Sequence, residues 1–325
     1  MPLSICKAKR LTRRAVTALS VLAAMLSLCA CGDRREAAAE FFAMDTHMRI
    51  AAYGGGAKAA VSEARDEILA LEKRWSVTAT ESEVYAYNSG GGLLSAETDM
   101  LLADALSVGD MTGGAFDVYI FPVVEAWGFF SHEYRVPAEE ELEKLLLQRD
   151  KLDFGGIAKG YASGEAADIM RRHGVESALI VLGGNIYAVG NKPDGKPWSI
   201  AVQDPFDMSA FSGTLGLTDK AAVTSGAYQR YFEQGGGTYH HIIDPRSGYP
   251  ADSGLASVTV VSADGAMADG LSTGLFVLGK ERALEVWREN GDLFELVLIE
   301  DGGAITITSG LEGSFESEHG FEVAK

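Results

Sequence analysis

The stretch TYHHIIDPRSGYP, from Thr238 to Pro250, puts two of the chain's six histidines at the end of an apolar run, just before an Asp-Pro turn. Histidine is the usual general base near neutral pH. Alternation along an extended strand puts His241 and Ile243 on one face and His240 and Ile242 on the other, so only one histidine shares a side with Ile243. In ADGLST, Asp269 and Thr273 are four apart on an expected helix and share a face. A carboxylate with a hydroxyl is a modest oxygen site, of the kind magnesium uses when one or two carboxylates and substrate phosphates complete its shell. In KLDFGGIAKGYA, Asp153 ends a strand and Gly155-Gly156 lets the backbone approach a ligand closely. The helix start that follows offers unpaired N–H groups to an anion, with Lys159 adding positive charge. LGGN brings a second diglycine, followed by Asn185. TGGAFDVY brings a third, followed by Ala115, Phe116 and Asp117, and an aromatic beside a carboxylate suits the flat, hydrogen-bonding face of a purine or flavin. Taken singly, each stretch has an ordinary structural explanation: a hairpin turn for a glycine pair, a surface position for the lysine, an N-terminal-turn Asp with a helical Thr, a structural role for the histidine.

Periodicity supplies the elements that must hold these residues. Residues 59–75 place Ala60, Ala64, Ile68, Leu71 and Trp75 on one helical face; 99–114 and about 138–148 predict two more helices. GGIAKGYASGEAADIMRRHG turns into a helix ending near Gly174. SALIVLGG reads as a buried strand, with IYAVG and WSIAVQDP as its antiparallel neighbours. GTLGLT, AAVTSG, TYHHIID and ASVTVVSA continue the strand series. GAMADGLSTGLFVLG and ERALEVWRENG read as helices, and FELVLIE with AITIT as a closing hairpin around Asp301-Gly302-Gly303. Strands and helices mix without strict βαβ alternation, which predicts an α+β fold with a largely antiparallel sheet flanked by helices. Gly54-Gly55-Gly56 is a strand-to-helix turn without the Lys-Ser/Thr of a P-loop.

The chain has 325 residues, 47% of them apolar and 23% charged, enough for a sizeable core. Residues 1–30 hold five basic side chains and no acid, which leaves 23 basic against 46 acidic over 31–325, a net −23. Such a surface repels nucleic acid, and it would repel an anionic substrate unless a cation or backbone donors offset the field locally. MPLSICKAKRLTRR followed by AVTALSVLAAMLSLCA is a basic region and an apolar run too short to span a bilayer as a helix, so residues 1–30 are expected to be a signal peptide. LCAC-G resembles the bacterial lipobox, with Cys31 as lipid acceptor; a plain signal peptide is the alternative. Residues 31–42 are expected to be a flexible tether, and 43–325 the folded domain.

In order, MDTHM, TGGAFDVY, LDFGGIAKGYA, LGGN, TSGAYQRY, HIIDPRSGYP and ADGLSTGLFVLG resemble the ApbE family of FAD:protein FMN transferases over nearly all of 43–325. The resemblance implies an ApbE-like flavin-transferase fold with FAD as substrate and an exported FMN-accepting flavoprotein as partner. It also implies Mg²⁺ held by Asp269, Thr273 and a backbone carbonyl in the GGIA turn, that of Gly156. By motif position Met44, Ala115, Phe116, Asp117, Asp153, Lys159 and Ile243 would contact FAD, and His241 would be the base. With a lipidated Cys31, the protein would sit in the cell envelope, anchored to a membrane on its extracytoplasmic side. Gly164 departs from the family, where many members carry Asp. An FAD pyrophosphatase releasing FMN and AMP would use the same site, and a non-catalytic flavin-binding lipoprotein would need neither base nor metal.

Overall fold

The structure, a computed structural model, describes residues 35–325. The expected signal peptide, Cys31 and the first residues of the tether lie outside the described residues. Along the chain run β1 (Glu36–Ala43), β2 (Thr46–Tyr53), α1 (Ala57–Trp75), α2 (Glu83–Asn88), α3 (Ala96–Met111), α4 (Phe121–Ala126), α5 (Glu139–Leu145) and α6 (Ala158–Arg172). Then come β3 (Ser177–Leu182), β4 (Asn185–Gly190), β5 (Trp198–Gln203), β6 (Phe211–Leu217), β7 (Lys220–Gly226), β8 (Tyr231–Gln234), β9 (Gly237–His240) and β10 (Leu255–Ser262). The chain closes with α7 (Gly265–Leu278), α8 (Lys280–Asn290), β11 (Phe294–Glu300), β12 (Ile305–Thr308), β13 (Phe315–Glu316) and β14 (Glu322–Ala324).

Nine strands form one sheet in the order β1-β2-β3-β4-β7-β10-β11-β12-β14. All its pairings are antiparallel except β12 with β14. The helices cover one face. Ile50, Ile180, Val258 and Leu296 of the sheet meet Ile68 and Leu71 of α1, Ala162 and Ala166 of α6, and Leu271 and Leu275 of α7. The opposite face, through Ala188, Ala222, Val261 and Val297, packs on Trp198, Ile200, Leu215 and Phe315 of a three-stranded sheet, β13-β6-β5. Every residue of β10 is therefore buried, which explains its unbroken run of small and apolar side chains. A third cluster, built on Trp127, Phe129, Phe232 and Ile243, joins α4 and α5 to the separate β8–β9 hairpin.

Several expectations need correction. Asp153 does not end a strand: residues 151–154 form an irregular segment. Residues 36–42 are not tether: they form β1, paired with β2 along its whole length, and belong to the folded domain together with 43–325. Ala37, Ala39 and Phe41 are the inward alternates that pack on the core, and Arg49 ties β2 to Glu36 and Glu40 at 2.8 and 2.6 Å. Alanines give only a faint two-residue hydrophobic rhythm, so this strand leaves little trace in sequence. WSIAVQDP does not flank β3 but lies in the small sheet. Its Trp198, Ile200 and Val202 point inward while Ser199 and Ala201 are exposed, a one-sided pattern that suits an outer layer and not the doubly covered centre of the large sheet. The strand TYHHIID stops at His240; the His241 amide still donates to the Arg230 carbonyl at 3.1 Å, in register with the β8–β9 pairing, and the chain leaves the hairpin after it.

Helices α6 and α7 cross with their backbones in contact. A Cβ on Gly160 would overlap the carbonyl oxygen of Gly265, and one on Gly265 would clash with the carbonyl of Gly160. Gly164, one turn further along α6, has nothing within 4 Å of the position its Cβ would take. The two glycines therefore give opposite outcomes. Gly160→Ala should destabilise the fold by about 3 kcal/mol through overpacking against backbone that has nowhere to move. Gly164→Ala should stabilise it by roughly 0.5–1 kcal/mol by removing helix-interior glycine entropy. Urea midpoints of the two variants check both signs.

Candidate active site

The α6–α7 crossing delivers Asp269 to the start of α6. The N-cap residue of that helix, Ile157, has no side chain that can cap, and the first turn contains no acid. The carboxylate of Asp269 takes over the cap from outside, its Oδ2 accepting from the Gly160 N–H at 2.8 Å. Its Oδ1 accepts from the Asn185 Nδ2 of β4 at 3.3 Å. Asp269 is 4% exposed, and these donors are what a buried carboxylate requires. The expectation of a wholly free helix start is accordingly corrected: the amide of Gly160 is taken by Asp269, and that of Ala158 by the Phe154 carbonyl at 2.8 Å.

One turn later on α7, the Oγ1 of Thr273 lies 3.3 Å from Ser225 Oγ of β7. Ser225 also bonds the hydroxyl of Ser272 at 2.8 Å, and Ser272 donates to the Asp269 carbonyl at 2.8 Å. Gly156 faces this group. A Cβ there would lie 3.5 Å from Thr273 Oγ1 and 3.0 Å from the Phe116 ring, so the bare backbone of the GGIA turn is pressed between the threonine and the aromatic. The structure thus brings Gly156, Phe116 and Thr273 together, with Asp269 on the same helix face as Thr273.

Ala115 and Phe116 are buried, the amide of Phe116 donating to Thr112 Oγ1 at 3.1 Å. Asp117 is gripped by both guanidinium nitrogens of Arg149, at 2.7 and 3.0 Å. Arg149 also lies over the Tyr119 ring, and a cavity of about 210 Å³ opens between Arg149, Asp117, Phe116 and the end of α3. The amide of Asp153 donates to the Val118 carbonyl at 2.8 Å, which fixes the Asp117 segment to the glycine turn. Burial raises the Asp153 carboxyl above the usual range, partly offset by the Gly155 N–H it accepts at 2.8 Å and by the charges of Lys159 and Arg230. Lys159 Nζ donates back to the Gly155 carbonyl at 3.2 Å.

Met44 sits in the two-residue β1–β2 turn. Both Met44 and Asp45 have positive φ, 46° and 59°, a conformation that favours glycine or asparagine and marks stored strain. The Met44 amide donates to Glu72 Oε1 at 2.6 Å, and Asp45 pairs with Arg230 at 3.4 Å.

The two histidines part as alternation predicts. His240 meets Phe276 of the main core edge-on, and its neighbour Ile242 is buried in that same core. The His241 ring approaches Phe129 of the third cluster, at 6.4 Å between centroids, and Ile243 is buried in that cluster. His240 has both ring nitrogens engaged, with the Ala251 carbonyl at 2.9 Å and the Ile242 amide at 3.3 Å. His241 Nδ1 lies 3.1 Å from the Arg230 carbonyl. A carbonyl only accepts, so Nδ1 carries the hydrogen and Nε2 keeps its lone pair. Burial, helped by the neighbouring charges of Arg230 and Lys159, lowers the His241 pKa to about 4.

This arrangement can be set beside known proteins. A sequence model of the ApbE family matches residues 44–297. The chain belongs to the ApbE family. It is 31% identical to the FAD:protein FMN transferase of Haemophilus influenzae, over 91% of this chain and 96% of that one. It is 36% identical to that of Klebsiella pneumoniae, over 67% and 75%. The crystal structure of the ApbE protein from Thermotoga maritima superposes with a TM-score of 0.79 at 30% identity, covering 86% of this chain and 99% of that one. The flavin transferase ApbE from Vibrio cholerae gives 0.75 at 28% identity, covering 86% and 98%. The ApbE fold expected from the motifs is therefore the fold observed.

Within this ApbE chain, sequence reading missed Arg149, Arg230 and Ser225 as parts of the site. Arg149 lies in no motif and reaches Asp117 across 32 residues of sequence. Arg230 and Ser225 lie inside TSGAYQRY, which had drawn attention as a family mark without a role for either residue. Gly164, the family departure, has room for a side chain. Among the described residues no helix is long and apolar enough to cross a membrane, and no group of three His, Cys, Asp or Glu is placed to hold a metal. Any cation here would rely on hydroxyl and backbone oxygens as well as a carboxylate.

The depressed pKa of His241 sets a direction for stability. On acidification the unfolded chain takes up its proton near the ordinary 6.5, while the folded imidazole waits until about 4. The unfolded state binds more protons in between, so the stability contributed by this group is complete above 6.5 and is lost as pH falls towards 4. The stability of wild type relative to His241→Asn should accordingly decline from pH 7 to pH 4, as read by urea unfolding at a series of pH values.

Proposed function

We propose that this chain transfers FMN from FAD to a serine or threonine hydroxyl of an exported flavoprotein, releasing AMP. The observation that carries this reading is His241: a neutral imidazole whose Nδ1–H is committed to a carbonyl, leaving Nε2 as a base at working pH. The relatives in Haemophilus influenzae and Klebsiella pneumoniae are FAD:protein FMN transferases, which supports the same chemistry. Nε2 takes the proton of the acceptor hydroxyl. The hydroxyl oxygen then bonds to the FMN-side phosphorus, the bond from that phosphorus to the bridging oxygen breaks, and AMP leaves with the bridging oxygen. A proton-transfer group of this kind is worth roughly 10²–10⁴-fold in rate.

The residues present fit a magnesium ion. Asn185 Oδ1 is buried without a hydrogen-bond partner, on the side chain whose amide nitrogen already contacts Asp269. That carboxylate, the Thr273 hydroxyl and the Gly156 backbone are hard oxygen donors of the type magnesium selects. Bound there, the ion would offset charge on the pyrophosphate and on the departing phosphate. Lys159, held over the glycine turn, adds a fixed positive charge on the same side, so a strongly acidic protein can still accept a dianionic linkage. For a flat ring, Phe116 would supply an apolar face and the pinned Asp117 a hydrogen-bond acceptor, while Met44 and Ile243 are assigned to FAD by motif position alone.

The leader extends the reading to location. A lipid on Cys31 would hold the enzyme at the extracytoplasmic face of a cell-envelope membrane, where an exported acceptor is found.

The test is direct. Full-length protein incubated with FAD, Mg²⁺ and an FMN-accepting domain should yield a covalently yellow acceptor and free AMP. His241→Ala should lower that rate by about 10²–10⁴-fold while FAD still quenches its fluorescence on binding. Asp269→Asn should raise the Mg²⁺ concentration needed for half-maximal rate. Absence of adduct with every divalent cation would reject the transferase, and FMN release without acceptor would place the chemistry with water instead.

A further inference from the structure

Arg230 touches more of the site than any motif assignment gives it. Its main-chain carbonyl receives two hydrogen bonds from one residue, the His241 amide and the His241 Nδ1–H, each at 3.1 Å. Its guanidinium donates to the Phe129 carbonyl and lies over the Phe129 ring, 5.8 Å from the centroid. The edge contact of His241 is with the same ring, so base and guanidinium share one aromatic wall. The far side of the guanidinium reaches Asp45 in the strained Met44–Asp45 turn. Three segments distant in sequence, at 44–45, 129 and 241, therefore meet on one side chain and its carbonyl.

We propose that Arg230 is a positioning residue for the transfer reaction: its carbonyl sets the tautomer and aim of His241, while its guanidinium locks Phe129 and the Met44–Asp45 turn into register with that base. This rests on the reading of His241 as the base. The strain at Met44 and Asp45 gives the lock a purpose, since left-handed backbone at two successive non-glycine residues persists only where surrounding contacts hold it. A bidentate, planar cation suits the task, because its nitrogens can engage a carbonyl and a carboxylate at once while its face lies on an aromatic ring.

The same placement puts a fixed positive charge beside the imidazole. The groups acting on His241 are its neighbour His240, Lys159 from α6 and Arg230 itself, and all three disfavour a second proton on the ring. Asp45, exposed on the far side of Arg230, partly balances that cation, and Asp153 lies within reach of both Lys159 and Arg230. Arg230 thus helps keep the base unprotonated, while leaving the carbonyl bond untouched by any change to its side chain.

The experiment compares wild type, R230Q and R230K in the full chain, by NMR titration of the His241 ring and by FMN transfer across pH. In R230Q the His241 titration should move to higher pH. The FMN-transfer kcat should fall by roughly tenfold or more through lost alignment. The rate at pH 5 relative to that variant's own rate at pH 7.5 should fall below the wild-type ratio. R230K should keep the wild-type titration but recover only part of kcat, because an ammonium cannot reproduce the fork. An unmoved His241 titration in R230Q, or wild-type kcat in either variant, overturns the proposal. If R230Q does not fold, R230K alone decides through kcat. A shifted titration in a protein that transfers no FMN at all would uphold the placement of Arg230 and reject the transferase reading instead.

Discussion

The hydrogen bond from the Gly160 amide to the Asp269 carboxylate is the contact on which the site's geometry turns. It exists only because two glycines let α6 and α7 touch backbone to backbone. Through it the start of α6, the middle of α7 and, by way of Asn185, the start of β4 are fixed to one buried charge. A buried carboxylate needs donors, and a helix start needs an acceptor; each supplies what the other lacks. The consequence is positional. Thr273 follows one turn along α7, and Gly156 just precedes α6, so satisfying the cap also brings a hydroxyl and a bare stretch of backbone to the same spot.

Charge is managed locally in a molecule whose overall field is unfavourable to its proposed substrate. The folded part of the chain is strongly acidic, yet Lys159 of α6 and the loop residues Arg230 and Arg149 are each held beside a residue the motifs single out, Gly155, His241 and Asp117. Arg149 is committed to Asp117 and Arg230 to Phe129 and Asp45, so these cations are held in place and are not free to collapse onto other acids. Over distances longer than about 8–10 Å the surface charge is screened by salt. Within the site Arg149 and Arg230 are already paired with Asp117 and Asp45, and Asp269 is a further buried carboxylate, so Lys159 and a bound cation would have to offset the charge of a pyrophosphate.

The pair of histidines shows how one strand end separates two roles. Successive side chains point to opposite faces, and the two faces here belong to different hydrophobic clusters. His240 falls on the side of the main core and spends both nitrogens on main-chain groups. His241 falls on the side of the smaller aromatic cluster, with one nitrogen anchored and the other available. Burial lowers the pKa of both, yet only the second is arranged to exchange a proton.

The sequence by itself determined the fold class, the family, the face shared by Asp269 and Thr273, and the separation of His241 from His240. These are consequences of short-range geometry, since helical and extended periods are written in residues a few positions apart. It also pointed to the GGIA turn and to Phe116 with Asp117, because glycine pairs and their neighbours are local signals. What only the tertiary structure decided is what meets across long separations: Asp269 capping a helix 109 residues earlier, Arg149 closing on Asp117, Arg230 joining Asp45, Phe129 and His241. Residues 36–42, expected as tether and found in β1, were misread for a related reason, their alanines acquiring an inner and an outer face only once β2 lay beside them. Side-chain chemistry can be read along a chain; which groups share a buried charge or a single ring is settled by packing, and packing has no local signature.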